Sequence, residues 1–224
     1  MTEVPTPSRT RVRVWDVPTR LVHWLMALLF AVSWWTGETG RMDYHRYSGY
    51  LLLGLVSFRI YWGLFGSSTA RFGQFLRGPR TIVNYLRGRW SESPGHNPLG
   101  ALSVVALLFL MCAQITLGLF AVDVDGIESG PLSTYVSFEV GRNCAGLHHM
   151  VFNLLLLLVA IHLVAVLFYV LVKKQDLLGA MWNGSRAYDG DSVQPVKSVS
   201  ARRFIAGVVL ASVLTWLVAR AFQW

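Results

Sequence analysis

Residues 147–163, LHHMVFNLLLLLVAIHL, carry His148 and His162 within an otherwise apolar run. In a helix, fourteen residues turn through about 1,400°, roughly 40° short of four full turns, and rise about 21 Å. The two imidazoles therefore lie on nearly one face of one helix, at opposite edges of a layer comparable to a lipid bilayer. Such a helix can contribute to two metal centres at two depths if other helices supply partners.

Composition places the chain in a membrane. Of its 224 residues 54% are hydrophobic and only 14% are charged, and the mean hydropathy is +0.45. Five apolar runs approach or exceed the roughly 20 residues that a spanning helix needs. We predict an all-α integral membrane protein with five transmembrane helices, the spans lying at roughly 21–38, 47–66, 99–121, 147–172 and 204–222.

The net charge of +8 follows the flanks of these spans and does not form one basic face. Most arginines and lysines lie before the first span, between the second and third, and between the fourth and fifth. By the positive-inside rule the N-terminus is cytoplasmic and the C-terminus lies outside. This distribution indicates contact with membrane lipid and argues against a nucleic-acid partner.

The histidines sort into two pairs by depth. His23 lies near the cytoplasmic start of the first span and His45 at the outer start of the second, so His45 matches His148 and His23 matches His162. Two facing imidazoles are the axial ligands of a bis-histidine haem b, whose iron transfers electrons without binding substrate. A structural zinc would need four ligands at each level, which neither level offers. Helix–helix hydrogen bonds or a proton relay would explain one or two histidines but not matched pairs.

The remaining histidines and the two cysteines are secondary candidates. His149 competes with His148 for the outer site, but it lies roughly 140° from His162 around the helix and is predicted to point to solvent, headgroups or a haem propionate. His96, which precedes the third span, is predicted to be a surface or capping residue. Cys112 and Cys144 are predicted to be unpaired packing residues, and neither belongs to a C-x-x-C-H motif.

Arg59 stands fourteen residues after His45 and so shares its face near the depth of the inner haem. Its forked donors suit a haem propionate, and snorkelling to the cytoplasmic headgroups is the alternative.

Four segments outside the spans have predicted roles. Residues 71–90 alternate aromatic and aliphatic side chains with arginines, which indicates an interfacial helix broken at Gly78-Pro79. Residues 1–13 are expected to be a mobile basic tail and residues 184–200 a polar linker. The outer loop 122–144 carries more acidic than basic residues and offers either a docking surface for a basic redox partner or an ordinary solvated loop.

With the histidines placed, the chain resembles the bacterial cytochrome b561 family, which includes the b-type cytochrome subunits of nickel-iron hydrogenases. The matching segments, which together cover roughly residues 12–184, are VWDVPTRLVHWLMALLF, HRYSGYLLLGLVSFRIYWGLFGSSTARF, GHNPLGALSVVALLFLMCAQITLGLF and LHHMVFNLLLLLVAIHLVAVLFY. The resemblance implies a four-helix bundle that holds two non-covalent haems b through His23, His45, His148 and His162. The fifth helix is an addition to this core, and position 149, often acidic in the family, is His149 here.

These observations predict a dihaem membrane domain at 1–184, followed by a linker and extra transmembrane helix at 185–224. The predicted function is transmembrane electron transfer between the quinone pool and a redox partner such as a soluble cytochrome or a dehydrogenase. Two alternatives keep the haems: an anchor subunit of a hydrogenase or other periplasmic dehydrogenase, and an oxidoreductase that passes electrons from superoxide to quinone. A haem-free transporter or scaffold is the alternative from another class.

Overall fold

The computed structural model describes residues 9–89, 95–189, 196–197 and 199–221. Five helices are long and apolar enough to cross a membrane, which confirms the predicted all-α membrane fold. They are α1 (Val17–Glu38), α2 (Met42–Phe65), α5 (Pro98–Phe120), α6 (Phe138–Leu171) and α8 (Ala201–Arg220). Shorter elements are β1 (Arg9–Arg13), α3 (Phe72–Phe75), α4 (Pro79–Leu86), a 3-10 turn (Ser133–Tyr135), α7 (Leu177–Asn183) and β2 (Ser185–Asp189).

Helix α6 begins nine residues before the apolar run that predicts it. Ser137 caps its N-terminus by accepting a hydrogen bond from the Val140 amide at 3.3 Å. The backbone then continues as a helix through the polar residues Arg142 and Asn143. With 34 residues α6 is about 51 Å long, more than a bilayer core requires. Hydropathy locates the part of a helix that suits lipid, whereas the capping residue sets where this helix starts.

The long helices form two hairpins, and α8 packs beside one of them. Helices α1 and α2 pack together across the turn 39–41, and α5 and α6 pack together across the loop 121–137. Helix α8 lies against α2. We call the end where α1, α5 and α8 begin the near end and the opposite end the far end.

The near end carries a small sheet that the sequence analysis did not predict. Strands β1 and β2 pair antiparallel, with Arg11 opposite Ala187. Val12, Val14 and Tyr188 are buried there, while arginines alternate with the valines along β1. Residues 9–13 are therefore not a mobile tail, and residues 185–189 are a strand and not part of a linker. Residues 1–8 lie outside the described residues.

Gly184 joins this sheet to the bundle. It ends α7 with φ of +86°, a left-handed conformation that glycine adopts readily. Its carbonyl accepts hydrogen bonds from the amides of Val14 at 2.8 Å and Trp15 at 3.1 Å. The predicted boundary between 184 and 185 thus falls within a connected unit of β1, α7 and β2, and the division into two parts stays a prediction.

Asp16 fixes the start of α1 and ties it to α2. One carboxylate oxygen accepts from the amide of Thr19 at 2.8 Å and caps the helix. The other accepts from the indole N–H of Trp62, which is buried in α2, at 2.8 Å. One short side chain therefore satisfies two donors from two helices.

Close packing against α2 shows that α8 is part of the bundle. A Cβ added at Gly207 would stand 2.5 Å from Cδ1 of Tyr61, so the absence of a side chain permits this approach. The ring of Phe204 lies 5.7 Å from Phe58 and 6.1 Å from Trp62. Small residues at a helix contact are typical of membrane bundles.

The segment after α2 breaks at Gly78-Pro79 as predicted, and its two halves behave differently. Helix α3 packs against α2, and its Phe75 is buried. Helix α4 starts at Pro79, and neither Val83 nor Leu86 is buried. The hydroxyls of Tyr85 and Tyr169 form a hydrogen bond that ties α4 to α6. The interfacial prediction thus describes α4 better than α3, and Trp90 lies outside the described residues.

Candidate functional site

At the far end His45 of α2 faces His148 of α6. The two ring centroids are 6.2 Å apart and the ring planes cross at 82°. Two imidazoles that ligate one ion from opposite sides, with metal–nitrogen bonds of about 2 Å, hold their centroids roughly 6 Å apart. The separation of His45 and His148 therefore fits a metal ion that both imidazoles ligate.

The neighbouring helix of each hairpin orients these imidazoles. Nδ1 of His45 lies 2.8 Å from the carbonyl oxygen of Ser33 in α1. Nδ1 of His148 lies 2.9 Å from the carbonyl oxygen of Gln114 in α5. A carbonyl only accepts, so each Nδ1 carries the proton and donates it. Each Nε2 is then unprotonated and carries a lone pair, which is the form in which histidine binds a metal.

A glycine stands four residues after each of these carbonyls. A Cβ at Gly37 would lie 3.2 Å from Nδ1 of His45, and a Cβ at Gly118 would lie 2.8 Å from Cε1 of His148. In a helix the residue at i+4 covers the carbonyl at i, so glycine there lets a ring reach that oxygen. We call each carbonyl with its glycine a glycine notch: Ser33 with Gly37, and Gln114 with Gly118.

Nε2 of His148 already has a partner within the protein. The side-chain amide of Gln114 lies 3.0 Å from it and donates a hydrogen bond to its lone pair. The side-chain oxygen of Gln114 is shielded from solvent and has no hydrogen-bond partner. A ligand at Nε2 therefore has to displace this amide, whereas the hydrogen bond from Nδ1 to the Gln114 carbonyl remains available.

The adjacent histidine is placed differently. His148 is half-buried and faces His45, whereas His149 is exposed. This is the arrangement that helical rotation predicts for the two neighbours. The choice of His148 as the ligand stays a prediction.

At the near end the arrangement is looser. His23 and His162 are half-buried and lie within electrostatic range of each other and of Arg59. In the described part of the chain the rings of His23 and His162 do not contact each other, unlike those of the far-end pair. Nδ1 of His23 is shielded from solvent and has no hydrogen-bond partner. The structure thus brings His23 and His162 near each other without the close ring contact of the far-end pair.

His96 also belongs to the near-end group, which corrects the prediction of a surface or capping role. Asn97, and not His96, caps α5, because its side-chain oxygen accepts from the Gly100 amide at 2.7 Å. The His96 ring packs 4.7 Å from both Trp15 and Phe75, and its Nδ1 is shielded from solvent without a partner. The sequence does not reveal this placement, because Trp15 and Phe75 come from segments distant in the chain.

Burial, together with the nearby charge of Arg59 and the imidazoles of His162 and His23, lowers the pKa of His96 to about 3. The ring is therefore neutral at pH 7 and can donate one hydrogen bond and accept another.

Arg59 is buried inside the protein and does not extend along the surface. Only 6% of it is exposed, and its guanidinium lies over the Phe72 ring at 5.2 Å from the centroid. One guanidinium nitrogen makes a long contact of 3.5 Å to the Ala70 carbonyl. Asp16 is within electrostatic range but already accepts from Thr19 and Trp62. A buried guanidinium with so few partners suits an anionic group better than it suits snorkelling.

Leu155 separates the two histidine levels. It stands seven residues from both His148 and His162, which is about 10.5 Å along the axis and roughly 20° short of two turns. Its side chain is fully buried. The face of α6 that carries both histidines is therefore packed between them.

An ion pair ties the far-end loop to α2 next to His45. Arg46, which follows His45, donates to Glu128 of the loop at 2.6 Å and to Asp43 at 2.7 Å. Glu128 is thus engaged with the bundle, which leaves less of the predicted acidic docking surface free.

Cys112 and Cys144 are both free thiols.

A membrane bundle with facing imidazoles held from behind by carbonyls defines a class of protein, the membrane-embedded b-type cytochromes. The model of the prokaryotic cytochrome b561 family matches residues 14–184, and the chain belongs to this family. Membership identifies a multi-pass membrane protein that carries haem b and transfers electrons across the membrane.

Two relatives carry a more specific name. A "Probable Ni/Fe-hydrogenase B-type cytochrome subunit" of Azotobacter chroococcum mcd 1 and one of Azotobacter vinelandii are each 24% identical to this chain over 223 residues. Each match covers 82% of this chain and 92% of the relative. No solved structure matches the chain.

Proposed function

We propose that the chain is a dihaem cytochrome in which His45 and His148 hold one haem b at the far end and His23 and His162 hold the other at the near end. The observation that carries the proposal is the 6.2 Å separation of the far-end imidazoles. A bound haem b supplies a one-electron iron couple. The protein orients the ligands through the glycine notches and excludes water with side chains such as Leu155.

Two near-end residues, Arg59 and His96, support the proposal of a second haem. Arg59 is a buried cation, and His96 is a neutral ring with an unpartnered Nδ1. A haem b brings two propionates, for which a guanidinium is a well-matched donor. We propose that Arg59 pairs with a propionate of the near-end haem.

We further propose that the near end faces the cytoplasm of a bacterial inner membrane. Many more arginines and lysines flank the near end than the far end, where Arg41, Arg46, Arg142 and Arg220 lie. Positive charge accumulates on the cytoplasmic side of membrane proteins. Electrons would then pass between quinone in the membrane and a redox partner at the periplasmic face.

Haem stoichiometry tests the ligand assignment. Purified protein should hold about two haems b per chain and show a reduced-minus-oxidised α-band. His45→Ala and His148→Ala should remove the same spectral component, and His23→Ala and His162→Ala the other. His149→Ala is the matched control and should keep both. Absence of an α-band, or full haem in His148→Ala, would overturn the assignment.

The names of the two Azotobacter relatives favour a second candidate function, an anchor subunit that drains electrons from a periplasmic hydrogenase or other dehydrogenase. Mild detergent extraction followed by affinity purification of this chain distinguishes it from a free-standing carrier. Stoichiometric co-purification of a metalloenzyme supports the anchor. Recovery of the cytochrome alone, still reduced by quinol, supports the carrier.

A further inference from the structure

A basic pocket lies where the chain after α2 meets the start of α8. Its volume is about 280 Å³, and its walls include the cations Arg71, Lys197 and Arg203 and the hydroxyl residues Ser68 and Ser200. The amide of Lys197 donates to the hydroxyl oxygen of Ser68 at 3.1 Å. This hydrogen bond joins the two walls, which belong to segments far apart in the chain.

Among the residues that the structure describes, the cations in this pocket have no anionic partner. Within the ranges that the structure describes, no carboxylate forms an ion pair with Arg71, Lys197 or Arg203. Nε of Arg71 is shielded from solvent and has no hydrogen-bond partner. Three like charges around one pocket repel one another, and a shielded guanidinium nitrogen without an acceptor costs free energy.

The start of α8 adds positive potential to the same pocket. Ser200 is the N-cap residue, but its side chain does not cap the helix. The first turn contains no acidic residue and does contain Arg202 and Arg203. Cations are unfavourable at a helix N-terminus, where anions bind readily to the free amides and the positive end of the dipole.

The position of the pocket indicates which anions reach it. It lies at the near-end boundary of two apolar spans, α2 and α8, which is where phospholipid headgroups lie. Basic pockets between transmembrane helices are suited to anionic headgroups. Arginine forks match phosphate oxygens, and serine hydroxyls donate to them.

We propose that this pocket binds a phosphate group, supplied either by an anionic phospholipid headgroup or by free phosphate. The bound anion would join the start of α8 to the end of α2. The site is independent of haem and of the proposed electron transfer.

The test compares three probes on purified holoprotein in neutral detergent: dioleoylphosphatidylglycerol, dioleoylphosphatidylcholine and inorganic phosphate. Binding is read by native mass spectrometry and by the midpoint of thermal unfolding. We expect phosphatidylglycerol to bind and raise the midpoint, and the zwitterionic lipid to do neither. The double variant Arg71→Gln, Arg203→Gln should bind about tenfold more weakly or worse. Stabilisation by inorganic phosphate as well would identify free phosphate as a sufficient ligand.

The matched control is Arg80→Gln, Arg87→Gln, which removes the same charge from a separate groove on α4. It should bind phosphatidylglycerol with wild-type affinity. If the Arg71 double variant fails to fold, the single variant Arg203→Gln, at an exposed position of α8, should still weaken binding several-fold. Equal binding by wild type, pocket variants and α4 control would overturn the proposal, as would the absence of any phosphate-dependent stabilisation.

Discussion

Gly118 lies directly against the imidazole of His148. A Cβ at this position would stand 2.8 Å from Cε1 of the ring, closer than side chains normally approach. Gly37 is in the same relation to His45 at 3.2 Å from Nδ1. The two hairpins therefore present their outer histidines in the same way, through a glycine notch on the neighbouring helix.

Gly118→Ala should displace the His148 ring and impair the far-end haem. Overpacking of this kind costs about 1–3 kcal/mol, and the ring loses its alignment with the Gln114 carbonyl. We expect haem content to fall from about two toward about one per chain, measured by the pyridine haemochrome assay. Gly37→Ala should have a smaller effect, because its contact is less tight.

Gly146→Ala is the control for this pair. Gly146 precedes His148 by two residues on α6, and a Cβ there meets nothing within 4 Å. Full haem content is expected. If Gly118→Ala also keeps both haems with unchanged spectra, the notch does not position His148.

The notches show where prediction from sequence succeeds and where it fails. The five spans and the depth of each histidine follow from apolar length and from the helical repeat, both of which are local. Gly37 and Gly118 could not be singled out, since glycine is common in membrane helices and its role depends on a ring from another helix. His96 and the β1–β2 sheet were missed for the same reason, because their partners lie far away in the chain.

Arg59→Gln should lower the reduction potential of the near-end haem. A nearby positive charge favours the reduced iron, which carries less positive charge. At about 10 Å and an effective dielectric constant of about 20, losing it costs about 1–2 kcal/mol, or roughly 40–90 mV for one electron. Redox titration of the two components measures the shift.

Arg80→Gln, at an exposed position on the same end, is the control and should leave both potentials in place because solvent screens that charge. Arg59→Lys should recover part of the potential. A shift confined to the far-end component would contradict the placement of Arg59 beside the near-end haem.

Asp16→Ala should destabilise the bundle more than loss of a helix cap alone. The cap accounts for about 1 kcal/mol, and the buried indole N–H of Trp62 left without an acceptor adds about 1–3 kcal/mol. Thermal unfolding in detergent reports the sum of the two contributions.

Asp176→Ala is the control. It removes a comparable cap from α7, where the carboxylate accepts from the Gly179 amide at 2.8 Å, and should cost only the contribution of the cap. The excess for Asp16 should disappear in a Trp62→Phe background. Its persistence there would mean that the indole hydrogen bond is not the cause.

Gly207→Leu should separate α8 from α2 without removing haem. The new side chain would overlap the Tyr61 ring, which already lies 2.5 Å from the position of a Cβ, and overpacking would lower stability by about 1–3 kcal/mol or more. Because the candidate haem ligands all lie on α1, α2 and α6, we expect a lower unfolding midpoint with about two haems retained. Ala206→Leu places the same side chain at an exposed position on α8 and should leave the midpoint unchanged. Loss of haem from Gly207→Leu at temperatures where the protein is still folded would show instead that α8 holds α2 in the position that haem binding requires.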